Sequence, residues 1–287
     1  MHLQRQGDEN AGAVRAGVLA ACGLALSRKR QKGVSMNVEA QTFSHYPAWP
    51  SPVRFPLQVA PEHPCSYLPG RVAQMRWLAA GKVDPLVYER FMDAGFRRSG
   101  RMIYQPICRG CRSCIPIRVP VDRFKPNKSQ RRCLRRNSDI SVSIDEPIVT
   151  DEKYELYQRY VLAWHDHQPG ETSREDFERF LYDSPVSTIE FSYRDQTGQL
   201  LAVGICDVTP SALSSVYFYF EPTVSRRSLG TYGALGEITH AQSMNLPRYY
   251  LGYWISGCSS MDYKSCFRPC HVLHTDGFWR DLDEESE

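Results

Sequence analysis

Apolar side chains recur at helical spacing after Thr150-Asp151, where Leu156, Tyr157, Tyr160, Val161 and Trp164 form a stripe. Thr150 or Asp151 is a natural cap, so the pattern predicts a helix running through Trp164. A second helix is expected over Arg174–Leu181. The period then changes to two. Ser187–Arg194, Leu200–Val208 and Ser214–Phe220 read as strands, the first pair joined by the turn Asp195-Gln196-Thr197-Gly198. A helix over Thr231–Met244 and a strand over Tyr249–Trp254 follow. Upstream, Arg71–Ala80 and Asp84–Ala94 read as short helices split by Gly81-Lys82, with Asp84 as N-cap and Pro85 in the first helical position. Met102–Gln105 and Ile115–Val121 read as strands. Pro116 and Pro120 make the latter an edge strand at best. A basic helix over Ser129–Arg136 and a strand over Ile140–Ile144 complete the pattern, while the proline-rich stretch Pro47–Pro69 reads as extended. Helices alternating with a mostly antiparallel sheet give an α/β (α+β) layered fold.

Composition divides the chain further. Residues 1–45 read as a disordered extension, 46–138 as a basic, cysteine-containing N-terminal domain, 139–280 as the main α/β domain, and 281–287 as an acidic tail. The apolar fraction of 42% supports a sizeable core. Arg15 interrupts the apolar segment Ala11–Leu26, and no window reaches the roughly 18 apolar residues of a membrane span. A cytoplasmic, monomeric protein with no membrane partner is expected.

Charge sharpens the picture. The forty residues Arg97–Arg136 hold thirteen Lys/Arg and a single acid, Asp122, for a net +12 in a chain whose total is +3. Like charges so concentrated call for a polyanionic partner, because each neutralised phosphate releases counterions. Lys125, Lys128, Arg131, Arg132 and Arg135 are the candidate phosphate contacts. The same segment carries Cys108-x2-Cys111-x2-Cys114, with Cys65 upstream. Four thiolates can hold zinc or an iron–sulfur cluster, and packed thiols are the alternative. Cys258, Cys266 and Cys270 have no common ligand spacing, and Cys206 reads as a core residue.

The junction Ser225-Arg226-Arg227-Ser228-Leu229-Gly230 precedes the Thr231 helix. Arg227 and Gly230 there resemble the R-x2-G turn that holds a pyrophosphate in acetyltransferase-like enzymes, although Tyr232 replaces the expected small residue. His165 and His167 are candidate bases or simply polar residues of a helix end. No nucleophile motif, Walker loop or dinucleotide fingerprint occurs.

Taken in order, CSYLPGR, GFRRSG-x3-Y-x-P-x-C-x2-C-x2-C, FKPNKSQRRCLRRNSD, VYFYFEP, RRSLGTY, YYLGYWI-x-G and MDYK resemble the aminoacyl-tRNA–protein transferases, and most of all their bacterial aspartate/glutamate leucyltransferase branch. The resemblance spans about Cys65 to Trp279, and departs from that family's pattern at Ser265–Cys270. It implies an acetyltransferase-like (GNAT-type) domain joined to a cysteine-containing one. The implied activity is transfer of leucine from leucyl-tRNA to the α-amine of proteins beginning with Asp or Glu, creating an N-terminal degradation signal and needing no cofactor. Arginine as the donated residue is the alternative within the family. An acetyl-coenzyme A acetyltransferase and a non-enzymatic zinc-knuckle RNA-binding protein are the alternatives outside it. From motif position, Glu221 is expected to accept a hydrogen bond from the amine, with Tyr219, Tyr253 and Asp262 in the same cleft. Arg97, Arg98 and Lys264 are expected to meet the acceptor's carboxylate.

Overall fold

A computed structural model describes residues 55–164 and 171–283; the expectations for residues 1–45, His165 and His167 fall outside them. Strands β1 (Gln58–Val59), β2 (His63–Pro64), β3 (Val72–Ala73) and β4 (Met75–Ala79) open the described chain, followed by helix α1 (Pro85–Asp93), β5 (Arg97–Ser99) and β6 (Met102–Pro106). They build a four-stranded sheet in the order β1-β4-β6-β5 and a small β2-β3 ladder.

The helix expected over Arg71–Ala80 is therefore wrong. Its residues favour a helix intrinsically, but Met75–Ala79 pair with Met102–Pro106 along their whole length, and Arg76 Nε donates to Gln105 Oε1 at 2.9 Å. Tertiary pairing overrides a weak local preference. Helix α1 forms where expected, with Asp84 Oδ1 accepting from the Leu86 and Val87 N–H groups. β5 is too short and too basic to show a strand period.

β7 (Ile115–Pro120), α2 (Lys128–Arg136), β8 (Ser141–Asp145), α3 (Asp151–Trp164) and α4 (Arg174–Phe177, continued by a wider turn over Glu178–Tyr182) follow. After them come β9 (Thr188–Arg194), β10 (Leu200–Thr209), β11 (Ala212–Phe220), α5 (Leu229–Ser243), β12 (Arg248–Trp254), β13 (His271–Leu273) and β14 (Trp279–Asp281). The large sheet runs β14-β13-β7-β12-β11-β10-β9-β8. β7 is thus not an edge strand. Its second partner, β13, pairs only with Ile117 and Arg118, clear of Pro116 and Pro120, so the prolines cost no ladder bond on that side. It lies on the N-terminal side of residue 138 yet belongs to the large sheet. Asp281, assigned from sequence to the acidic tail, closes β14.

Two cores flank this sheet. On one face α5 lays Leu229, Leu235, Ile238 and Ala241 against Leu201, Leu213 and Tyr249. On the other, Leu156, Tyr157, Tyr160 and Val161 of α3 join Phe177 and Leu181 over Val203, Ile205 and Tyr219. Each fully buried side chain of this size contributes about 1.5–3 kcal/mol.

Candidate active site

β11 and β12 are parallel neighbours for only three residue pairs, Ala212–Ser214 with Arg248–Tyr250. Beyond them the two strands no longer pair with each other, β11 running on to Phe220 beside β10 and β12 to Trp254 beside β7. Their separation opens a cleft of about 440 Å³, lined by residues of β5, β11, the start of α5 and β12. The facing edges of the two strands, unpaired with each other, offer backbone groups and space to a ligand.

The basic residues of its lining are Arg97, Lys264 and Arg98, the last held by Asp207. Arg97 is 7% exposed; its Nη1 donates to Ser214 Oγ at 2.9 Å and its Nη2 to the Ser215 carbonyl. Among the described residues no carboxylate pairs with it. Lys264, 8% exposed, donates to the Tyr253 carbonyl at 2.9 Å. Gly252 lets them converge. Its φ of +87° suits only glycine, and a Cβ there would sit 3.5 Å from Lys264 Nζ and 3.6 Å from Arg97 Nε. Tyr253 also lines the cleft, and its hydroxyl donates to the Gly95 carbonyl at 2.8 Å, tying β12 to the end of α1.

The first turn of α5 forms another wall, with Gly230 facing open space. The Leu229 and Gly230 N–H groups there have no acceptor within the helix. Deeper along the same wall stand Ala234 and Glu237. Glu237 is 1% exposed, and Tyr249 donates to its Oε2 at 2.5 Å. Burial pushes the carboxyl up to about 7, against the opposing hydrogen bonds of Tyr249, Cys206 and Ser215. Sequence reading passed over Glu237. The available signal was a lone acid on the buried, otherwise apolar face of a helix.

The other candidates lie off the cleft or, like Arg98, are held by a partner. Glu221 is not a cleft residue: Arg159 Nε donates to Oε2 at 2.9 Å, and the Thr223 N–H and hydroxyl donate to Oε1. Burial raises this carboxyl, but those donors outweigh it and leave it below the usual carboxylate range. It caps the turn after β11. Tyr219 is fully buried in the core beneath α3 and is not part of the cleft lining, although Tyr217, on the same face of β11, is. Asp262 accepts from Trp254 Nε1 at 3.2 Å at the cleft's margin. Arg98 is committed to Asp207: Nε and Nη2 meet both carboxylate oxygens at 2.7 and 2.6 Å, with both side chains fully buried. Arg227 makes a two-point ion pair with Asp139 at 2.8 and 2.9 Å, so its charge is already compensated.

The basic helix is capped by Asn127 and Gln130, each side chain bonding the other's N–H. It exposes Lys128, Arg131, Arg132 and Arg135, with Lys125 just ahead. Its other face docks on the turn leading into α5: Asn137 Nδ2 donates to the Arg227 carbonyl at 2.9 Å and Arg136 to the Arg226 carbonyl at 2.6 Å. The helix that carries the basic surface therefore packs on the turn whose Ser228 lines the cleft.

The structure lends no support to the metal expected at the cysteine knuckle. Among the described residues no three His, Cys, Asp or Glu side chains form a metal-binding group. Cys65 and Cys108 instead accept from the Tyr67 and Gln74 N–H groups at 3.4 Å, and Cys111 bonds the Ser113 hydroxyl. Cys114 packs beside Ile255, Cys258 and Met261, and burial with its thiol neighbours pushes it up to about 12. Cys266 is exposed, Cys270 is buried, and Cys206 is a core residue as expected.

Two family models cover most of the described chain: Arginine-tRNA-protein transferase, N terminus, over residues 63–132, and the C terminus of the same, over residues 152–274. The aspartate/glutamate leucyltransferase of Pseudomonas entomophila (strain L48) is 42% identical over 213 residues, covering 74% of this chain and 90% of the relative. That of Pseudomonas syringae pv. tomato (strain DC3000) is 44% identical over 214 residues, with the same coverage. The chain belongs to the arginine-tRNA–protein transferase family. This family's enzymes act on an aminoacyl-tRNA and a protein, and the basic surface and the cleft suit one substrate of each kind. Among the described residues no helix is long and apolar enough to cross a membrane.

Proposed function

We infer that the chain transfers leucine from leucyl-tRNA to the α-amine of proteins that begin with Asp or Glu, giving them an N-terminal degradation signal. Arg97 carries the reading. A buried guanidinium without a carboxylate partner is costly unless a ligand supplies the anion, and an N-terminal Asp or Glu side chain does so. Lys264 beside the same glycine adds to the positive potential. The exposed face of α2 takes the tRNA phosphates, and the α5 turn receives the aminoacyl end. The ester is already activated, so catalysis consists of positioning and charge stabilisation rather than a covalent intermediate.

Leucine rather than arginine follows from the lining. Tyr160, Trp164, Phe180, Val216 and Phe220 give an apolar wall, and Glu237, the one acid of the lining among the described residues, sits apart from it on α5. An arginyl side chain would need an acid in its pocket. The test supplies charged tRNAs with peptides beginning with Asp, Glu, Lys or Arg. Leucine should appear on the Asp and Glu peptides alone; arginine there instead would overturn the donor, and no transfer at all would overturn the activity.

A further inference from the structure

Five acidic side chains are buried in the described chain, and four have a cationic partner. Asp93 has Arg118 and Arg248, Glu190 has Lys153, Asp207 has Arg98 and Glu221 has Arg159. Glu237 has none. Its neighbours are hydroxyl and thiol groups: Tyr249 of β12, Cys206 of β10, Ser215 of β11 and, further off, Tyr193 of β9. Arg97, on β5, is the cation that reaches Ser214 and Ser215 beside it. Glu237 Oε1 is buried with no hydrogen-bond partner of sound geometry. The site is kept close: a Cβ on Gly204 would lie 2.7 Å from that oxygen.

The helix places this carboxyl along the cleft wall. Gly230, Ala234 and Glu237 lie at i, i+4 and i+7, on one face, and all three line the cleft. The two residues nearer the mouth are small, and a Cβ on Gly230 would meet nothing within 4 Å. A buried acid with no cation, in the wall of the cleft, is held for a proton rather than for stability.

We propose that Glu237 is the proton acceptor of the transfer reaction, taking the proton that the acceptor's α-ammonium must lose before its nitrogen attacks the leucyl ester. The inference rests on the aminoacyl-transfer reading above. The freed lone pair forms the N–C bond. The C–O bond to the tRNA ribose oxygen breaks, its electron pair leaving on that oxygen, which takes the second amine proton. Glu237 then returns its proton to water. An acid poised near 7 matches an α-ammonium that ionises at roughly 7.7–8.0.

The experiment compares wild type with Glu237→Gln in leucine transfer to an Asp-initiated peptide, reading initial kcat/KM across about pH 5.5 to 9. The wild type needs Glu237 ionised and the amine protonated, so its profile is a bell peaking between the two values. The variant should lose at least 100-fold at the wild-type optimum, and its residual rate should rise monotonically through the amine's own ionisation. Tyr249→Phe, which removes a bond favouring the carboxylate, should move the acid limb to higher pH. Loss of fold is checked by melting and tRNA binding. The carboxyl's folded-state value lies above its ordinary 4.5, so the native state holds its proton longer, and stability falls as pH rises from about 4.5 to 7. The Gln variant lacks this loss and should melt no lower than wild type at pH 8. A variant that keeps the wild-type bell, at any rate, overturns the role of Glu237 while leaving the transfer reading intact. A wild type that transfers nothing overturns both.

Discussion

The two ends of the β11–β12 pair use charge in opposite ways. At the closed end, around Ser214 and Tyr250, each buried charge is matched. Arg98 grips Asp207, which also accepts from Tyr88 and Thr188, and Arg248 and Arg118 converge on Glu89, Asp93 and Tyr250. At the open end, Arg97 and Glu237 line one cleft, and neither has an ionic partner among the described residues. Neighbouring residues of one strand, Arg97 and Arg98, fall on opposite sides of this divide. Pleating sends their side chains to opposite faces. Residue type therefore says little about role here; the presence of a counter-charge says most.

The largest expected effect tests the closed end. Asp207→Ala leaves the Arg98 guanidinium fully buried and uncompensated, and should destabilise the fold by about 3–5 kcal/mol in a urea melt. Removing both charges together, with Arg98→Met added to Asp207→Leu, should recover most of that loss. A mild effect of Asp207→Ala would show that this end tolerates unmatched charge and would dissolve the comparison.

Arg97→Ala should behave in the contrary way. Its guanidinium holds one hydroxyl and one carbonyl but no acid, so folding depends on it less. Transfer to Asp- or Glu-initiated peptides should fall about 100-fold in kcat/KM, the cost of leaving one charge of a buried pair alone. Affinity for leucyl-tRNA should not change. An equal loss in both substrates would move Arg97 to the closed-end class.

How far the chain announced this can be followed residue by residue. The main domain was legible because its helices and strands carry clean periods: the α3 stripe and the Asp195–Gly198 turn lie where the pattern puts them. The N-terminal sheet was not. Met75–Ala79 reads as helix until Met102–Pro106 pairs with it, and β13 and β14 are three residues each, too short for a period. Within the site, Arg97, Lys264, Tyr253 and Gly230 were reachable through motif order and do line the cleft. Glu221 misled because a strand-terminal acid in FYFEP has the same local pattern whether it faces a cleft or caps the next turn. Arg98 and Arg227 misled because their partners, Asp207 and Asp139, are remote in sequence. Counter-charges are a property of the fold, and no local window contains them.

The same principle decides the smallest effect, on the surface. Arg132 and Arg135 project from α2 with no carboxylate beside them among the described residues, whereas Arg227, near the same turn, spends its charge on Asp139. Each free arginine that meets a phosphate displaces about one counterion, so replacing both with Gln should reduce the slope of log affinity against log salt by about 2. The loss at moderate salt should be modest and should vanish from kcat at saturating leucyl-tRNA. Arg227→Gln should leave the slope nearly unchanged, because a charge already cancelled in the free protein releases few ions on binding. Fluorescence titration of tRNA across several salt concentrations measures all three proteins. If Arg227→Gln lowers the slope as much as an α2 substitution does, tRNA breaks the Asp139 pair on binding, and the compensated class must then be divided into pairs that hold and pairs that yield.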